Sequence, residues 1–456
     1  VHTMCVAIED SDAAKAKKTV DETFAYEISL NKVNPLKVEN GFSIISLVGD
    51  DLKNQSGTGG RMFNALGRAG INIRAIAQGS SEKNISVVVK EEESDISIKV
   101  IHDEFFGVEK KRINLFIAGY GNVAKSLLSI IKSRREWLIE KRHLEIHVVA
   151  ICNSRHMILN KSGIEIDSID ESLKMGDPSD IYRFRELCSD MNLPDSIFVD
   201  CTADRGVSSL YQDFMQGKCS VVTCNKIGLS SSQESYDALQ ETCCATEVKL
   251  KYETTVGAAL PVISTIKSRV ECGDNIRRIE AILSGTLNYL FSKYDGSAKF
   301  VDIVREAKNA GYTEPDPRID LSGTDVLRKT VILARESGFR LEPEEIDVVP
   351  IFNSDLFSYD SEEFMTKIEE CEDQMLSLYK SALSRGERLR YIATIENGNY
   401  KIGVQSVSSD HPFYNINGRD NAIMIFTDEY SSPLTVSGAG AGARLTASGL
   451  FADLLA

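Results

Sequence analysis

The residues best placed to do chemistry lie in Gly311–Lys329, which reads GYTEPDPRIDLSGTDVLRK. This stretch gathers three carboxylates, Glu314, Asp320 and Asp325, and the ammonium of Lys329. Asp325 and Lys329 are four apart, so a helix places them on one face with the acid on the N-terminal side. Such a set can hold a small zwitterion and hand it a proton. Taken alone, the same pair is a surface ion pair worth roughly 0.3–0.5 kcal/mol. Two more charged residues close apolar runs: Lys226 in TCNK, and Glu253 in KYE, just before Val256-Gly-Ala258-Ala-Leu260-Pro. The free carbonyls of that small-residue turn, beside one carboxylate, would suit a hard monovalent cation. The other reading is a tight turn into the following helix.

These residues need elements to carry them. Pro315 and Pro317 forbid a helix through their own positions and hold Glu314 and Asp316 extended. Ser322 or Asp320 then caps a helix through TDVLRKTVILARES that stops at Gly338. Upstream, INLFIA reads as a buried strand, followed by Gly119-Tyr-Gly121-Asn122-Val123-Ala124 and an amphipathic helix to about Ser133. GxGxxA at a strand-to-helix junction is a dinucleotide fingerprint. The first glycine makes the turn, the second lets backbone approach a pyrophosphate, and the helix start supplies N–H groups. The next strand, Ile146–Ile151, is delayed by the charged RREWLIEKRHLE and ends in Cys152-Asn-Ser-Arg155. No ribose-binding carboxylate stands there, and Arg155 could meet a 2′-phosphate, which favours NADP and leaves NAD open. Otherwise Arg155 is a plain surface arginine.

Further buried strands at Ile197–Cys201, Ser220–Cys224 and Val248–Tyr252 end on Thr202, Asn225-Lys226 and Glu253. Carboxyl ends of parallel strands are where ligands sit, so a Rossmann-type doubly wound α/β sheet is expected here. Strands at Arg277–Leu283, Leu389–Glu396, Tyr400–Val407 and Ala422–Phe426 then form a second α+β domain with a mixed sheet. The tail, Gly438-Ala-Gly440-Ala-Gly442, opens a helix that either returns to the cofactor or packs closely on a sheet. At the other end, a strand at Met4–Ile8, a helix at Ser11–Thr23 and a strand at Tyr26–Leu30 precede a fuller β-α-β-β-α unit. That unit comprises Phe42–Val48, Gly57–Ala69, Ile71–Ala77, Ile85–Val89 and Asp95–Phe105, a small antiparallel sheet covered by helices.

With 456 residues the chain holds two or three domains, and a net charge of −15 argues against nucleic-acid or membrane-surface partners. No apolar run spans a bilayer and no secretory signal opens the sequence. The ten cysteines lack metal-ligand spacing and read as reduced thiols of a cytoplasmic protein. The six histidines are scattered, with no metal site among them. The chain opens directly on what reads as a strand, which suggests a piece of something longer.

GGRMFNALGRAGINIRAIAQGSSEKNISVVV resembles the paired ACT regulatory domains of aspartate kinases. That resemblance implies an amino-acid effector near the loop after the second strand, with Gln78, Asn84 and Ile85 as contacts. GYGNVA, TCNKIGLS, YETTVGAALPVI, LSGTLNYLF, GYTEPDPRIDLSGTDVLRK and GAGAGARLTASGLFADL occur in order and resemble homoserine dehydrogenase. The whole chain thus resembles the C-terminal portion of a bifunctional aspartokinase/homoserine dehydrogenase without its kinase domain. The resemblance implies an ACT region over 1–106, a dinucleotide-binding domain over 112–252, a substrate and dimerisation domain over 253–430 and a return segment over 431–456. It further implies interconversion of L-homoserine and L-aspartate 4-semialdehyde with NAD(P), inhibition by threonine, and a homodimer or higher assembly. By the same resemblance Lys329 is the acid/base and Lys226 the second lysine at the reacting end. Glu314 and Asp325 hold the substrate's amino group, and Asp320 supports Lys329. Gly119, Gly121, Asn122, Val123, Arg155, Thr202, Lys226 and Gly442 contact the cofactor. Glu253, Val256, Ala258 and Leu260 hold a sodium-type ion. Ile319 departs from the family, standing where many relatives carry a second acid. Two rival readings are a semialdehyde dehydrogenase, which needs a cysteine nucleophile with a histidine base, and a non-catalytic nucleotide- and amino-acid-sensing module.

Overall fold

The computed structural model describes residues 5–49, 57–78, 83–106, 110–396 and 398–456. The chain divides into two compact units, Val1–Lys111 and Arg112–Ala456.

In the first unit, strict alternation of apolar residues makes strands with one buried face. β1 (Phe42–Val48), β2 (Ala75–Gln78) and β3 (Asn84–Lys90) form an antiparallel sheet in the order β1-β3-β2. Ile45, Leu47, Ile85, Val87 and Val89 point inward against Met62 and Leu66 of the helix Thr58–Arg68 and Ile101 of the helix Ser94–Phe106. Upstream, expectation and structure part. The segment expected as a strand at Tyr26–Leu30 is the helix Ala25–Ser29, following the helix Ala13–Thr23. Cys5–Ile8 lie in no strand, and Met4 falls outside the described residues. A strand needs a partner for its backbone groups. Neither helix buries a residue, so local hydrogen bonds decide, and no partial copy of the sheet forms among the described residues.

The second unit is built on two sheets. The first contains β4 (Lys111–Ala118), β5 (Leu144–Cys152), β6 (His156–Leu159), β7 (Asp177–Pro178), β8 (Ser196–Asp200), β9 (Ser220–Thr223) and β10 (Leu250–Lys251). Their order is β10-β9-β8-β4-β5-β6-β7. The run β10, β9, β8, β4 is parallel, while β6 is antiparallel to both β5 and β7. The chain leaves β4 towards β5 on one side and later fills β8 on the other, so the carboxyl ends of β4 and β8 flank a switch point. The helix Asn122–Ser133 buries Leu127, Leu128, Ile130 and Ile131 against this sheet.

The second sheet, in the order β12-β14-β13-β11-β15-β16, contains β11 (Ile276–Ile282), β12 (Asp347–Val348), β13 (Arg388–Glu396), β14 (Asn399–Val407), β15 (Asp420–Thr427) and β16 (Leu434–Ala439). Its pairs are antiparallel except β12 with β14. Ile279, Ala281 and Ile395 join the main core, and Ile282, Ile392 and Met424 form a smaller one around Phe413. The glycine-rich tail is first an edge strand, since Gly438 and Ala439 belong to β16. Only the helix Ala443–Leu455 then returns, packing Ala447, Leu450, Phe451 and Leu454 into the core of the Asn122–Ser133 helix. Among the described residues, no helix is long and apolar enough to cross a membrane.

Candidate active site

At the switch point, Gly119 follows β4 with φ +90°. A Cβ there would stand 2.9 Å from Thr202 Cγ2 and 3.1 Å from the Cys201 carbonyl carbon. Only glycine keeps this turn against the end of β8. Gly121 precedes the helix in extended backbone, and no side chain caps the helix. The first N–H groups, those of Asn122 and Val123 included, therefore have no intrahelical acceptor and form an anion cradle at the positive helix end. These features fit a dinucleotide's pyrophosphate.

Beneath this turn lies a buried polar knot. Asp200, fully buried at the end of β8, accepts hydrogen bonds from Thr202 N–H (2.7 Å), the Tyr211 hydroxyl (2.7 Å) and Asn225 Nδ2 (3.0 Å). Burial pushes the Asp200 carboxyl up, and these donors pull it back. The knot ties Thr202 at the end of β8 to Asn225-Lys226 at the end of β9. Arg155 stands exposed in the turn between β5 and β6, where the Asn153 side chain accepts its N–H at 2.8 Å.

Pro317 breaks no helix here. It is the first residue of the short helix Pro317–Leu321, capped by Asp316, whose carboxylate accepts Arg318 N–H at 3.1 Å. The next helix, Thr324–Glu336, has Gly323 at φ +71° in the N-cap position, so neither Ser322 nor Asp320 occupies it, although the Ser322 hydroxyl accepts the Thr324 N–H at 3.3 Å. Asp325, near its start, meets both lysines: Lys329 Nζ at 2.8 Å and Lys226 Nζ at 3.2 Å. Burial alone would raise the Asp325 carboxyl. The two ammonium groups override that and hold it well below the usual carboxylate range. Lys329 is 7% exposed and donates its second hydrogen bond to the Leu283 carbonyl at 2.7 Å, just beyond β11. Asn421 of β15 donates to the same carbonyl at 3.3 Å.

The remaining expected residues fall as follows. Asp320 makes no ion pair with Lys329, contrary to its expected supporting role. It accepts the Glu314 N–H at 2.8 Å and so closes the turn that presents the exposed Glu314. Burial raises Asp320 above its ordinary value. Glu253 caps the helix Ile263–Glu271 through the N–H groups of Ile263 (2.7 Å) and Ser264 (2.8 Å). In its turn Ala258 takes φ +54°, and the Leu260 carbonyl accepts Val262 N–H at 2.9 Å. Gly442, at φ +126°, precedes the returning tail helix. Gln78, Asn84 and Ile85 belong to the other unit: Gln78 pairs with Ile85, whose side chain is in the core, and Asn84 is half-buried. Gly79–Ser81, the rest of the expected effector loop, lie outside the described residues.

Comparison with known proteins gives this geometry a family. Residues 119–253 match the family model for the NAD binding domain of homoserine dehydrogenase, and residues 261–455 match the model for homoserine dehydrogenase itself. The chain belongs to the homoserine dehydrogenase family. Residues 45–105 match an ACT domain. A Zea mays bifunctional aspartokinase/homoserine dehydrogenase is 38% identical over 460 residues, covering all of this chain and 50% of that protein. The chain therefore spans about half the length of the curated relatives it matches. Among solved structures, a Candida auris protein of unknown function is 30% identical with a TM-score of 0.69, covering 76% of this chain and 98% of that one. A hyperthermophilic archaeal homoserine dehydrogenase, solved with NADPH, shares the fold at a TM-score of 0.59 and 24% identity, over 75% of this chain and 97% of its own.

Asp200, Asn421 and the Leu283 carbonyl were not singled out in the sequence. Asp200 had a usable signal, a lone acid closing the apolar strand SIFVD. The other two had none: a backbone acceptor carries no residue-type signature, and Asn421 is a single amide side chain in a largely apolar strand.

Proposed function

We propose that residues 112–456 interconvert L-homoserine and L-aspartate 4-semialdehyde, with NADP as the preferred nicotinamide and NAD as an alternative. The observation that carries this reading is Asp325, one carboxylate holding a lysine from the end of β9 and a lysine from its own helix. A bound nicotinamide supplies or accepts the hydride at the substrate's terminal carbon. In reduction, the Lys329 ammonium delivers a proton to the aldehyde oxygen as it becomes the alcohol; in oxidation the amine takes that proton back. Lys226 stands at the nicotinamide end, with Asp325 keeping the two ammonium groups together. Glu314 and Asp325 take the substrate's amino group, and Asp320 keeps the Glu314 turn closed. Arg155 would receive the 2′-phosphate that distinguishes NADP, because residues 152–155, at the end of β5, carry no ribose-binding carboxylate. Gly119, Gly121, Asn122 and Val123 cradle the pyrophosphate, with Thr202 and Gly442 at the rim.

The Glu253 carboxylate and the Val256, Ala258 and Leu260 carbonyls would offer a sodium-type ion oxygen donors with one negative charge, Glu253 sharing its oxygens with the Ile263 and Ser264 N–H groups and Leu260 its carbonyl with Val262 N–H. Through its ACT domain the protein takes an amino-acid effector, threonine in this reading, at Gln78, Asn84 and Ile85. By likeness to the bifunctional relatives, a longer form of the protein would also carry aspartate kinase activity, and the chain assembles as a homodimer or larger oligomer. The cytoplasmic location rests on its thiol-rich composition and not on those relatives, several of which are chloroplastic. The deciding assay is oxidation of NADPH and NADH with L-aspartate 4-semialdehyde, with and without threonine. Faster turnover with NADPH, slowed by threonine, is expected. NADPH binding without any oxidation would favour the sensing-module reading instead.

A further inference from the structure

The turn that carries Lys226 is tied to the helix that carries Lys329 a second time, about 15 Å along that helix from Asp325. The tie is Arg335, whose side chain has no solvent exposure. Its Nη1–H donates to the Leu229 carbonyl at 2.8 Å and its Nη2–H to the Ser231 carbonyl at 2.6 Å. Its Nε–H donates to Gln233 Oε1 at 3.1 Å, and the Leu341 carbonyl accepts from both Nε and Nη2, at 3.2 and 3.0 Å. The turn itself is stiff. The Lys226 carbonyl accepts from the N–H groups of Leu229 (3.2 Å) and Ser230 (3.0 Å) and from the Ser230 hydroxyl (2.9 Å). A guanidinium fork that grips Leu229 and Ser231 thus grips everything from 226 to 231.

We propose that Arg335 is a positioning residue for the reaction: it fixes the 226–231 turn along the Thr324–Glu336 helix and so sets where the Lys226 ammonium stands relative to Asp325 and Lys329. The inference rests on the dehydrogenase reading above. A purely structural role for Arg335 is separable from it, because the neighbouring residue offers a control. Glu336, also buried, accepts the hydroxyls of Tyr236 (2.6 Å) and Tyr252 and lies 3.5 Å from Lys267 Nζ. It joins the same helix to the nucleotide half without touching the 226–231 turn.

The test compares Arg335→Lys with Glu336→Gln in the full chain. Melting temperature, NADPH affinity by fluorescence, kcat, KM for the semialdehyde and the primary isotope effect with 4-deuterated NADPH are measured. Both variants should melt lower. Only Arg335→Lys should lose about tenfold or more in kcat, with NADPH affinity changed less than about threefold and a raised isotope effect, because misplaced reacting groups slow the hydride step itself. An Arg335→Lys protein with wild-type kcat and isotope effect overturns the proposal. If Arg335→Lys does not fold, Gln233→Leu keeps the arginine but removes one of the two acceptors of its Nε–H and the acceptor of the Leu341 N–H, loosening the seat of the guanidinium. The same loss confined to kcat then supports the proposal, and unchanged kcat overturns it. Wild-type protein that never turns over the semialdehyde would sink the dehydrogenase reading and this inference together, whereas an active wild type beside an unaffected variant sinks only the inference.

Discussion

Asp325 sets its one carboxylate against two ammonium groups, so its removal leaves like charges facing each other. Asp325→Asn should cost about 1–3 kcal/mol of stability at neutral pH, on the scale of a charged hydrogen bond lost, and abolish most turnover. The pH dependence follows from the depressed carboxyl. Between the unfolded value near 3.8 and the lower folded value, the unfolded chain binds a proton that the folded chain does not. The stability supplied by Asp325 is thus complete above pH 5 and drains as pH falls below about 4. Urea titrations of wild type and Asp325→Asn should converge as pH is lowered from 5 to 3. Lys329→Ala should cut kcat by about 10²–10⁴ while NADPH binding survives, because it removes the proton donor and spares the nucleotide crevice. At this scale the sequence was most readable where two functional groups share one helix. The i, i+4 spacing found Asp325 with Lys329, and a strand-end position found Lys226. The Leu283 carbonyl lies 46 residues from Lys329 and 138 from Asn421 in sequence, and no local pattern links them.

Glycines decide how closely the elements approach. Gly119→Ala would force an L residue to φ +90° with its Cβ against Thr202. It should weaken NADPH binding at least tenfold in a fluorescence titration, on the order of 1–3 kcal/mol for the strained conformation and the contact. In the tail helix, a Cβ on Gly449 would stand 2.4 Å from Thr254 Cγ2 and 3.0 Å from the Ala258 carbonyl oxygen. Gly449→Ala should lift that helix and cost about 1–3 kcal/mol by chemical denaturation. Period-2 and period-3.6 patterns located the strands and helices that bury a face; Phe42–Val48 is one such strand. They failed at Tyr26–Leu30, where nothing is buried and local propensity decides. They also misjudged Pro317, because a proline that forbids a helix interior is favoured at a helix's first turn.

For the molecule as a whole, the ACT match falls in one compact unit and the two homoserine dehydrogenase matches in the other. Residues 112–456 made without the first unit should keep turnover of the semialdehyde and lose any response to threonine, measured as initial rate against threonine concentration. The order of the two sheets in the second unit was legible, since each is announced by its own run of apolar strands. Less legible was that the glycine-rich tail serves both. It completes an edge of the second sheet and then fills the core beside Leu127 and Leu128, more than three hundred residues back along the chain. A nascent polypeptide emerging from the ribosome therefore cannot close its nucleotide-binding half until the segment ending at Leu455 has been translated. Closing so long a loop is slow. On refolding, far-UV circular dichroism should recover well before the ability to quench NADPH fluorescence, and chaperones would meet this chain with its cofactor crevice still open on one side.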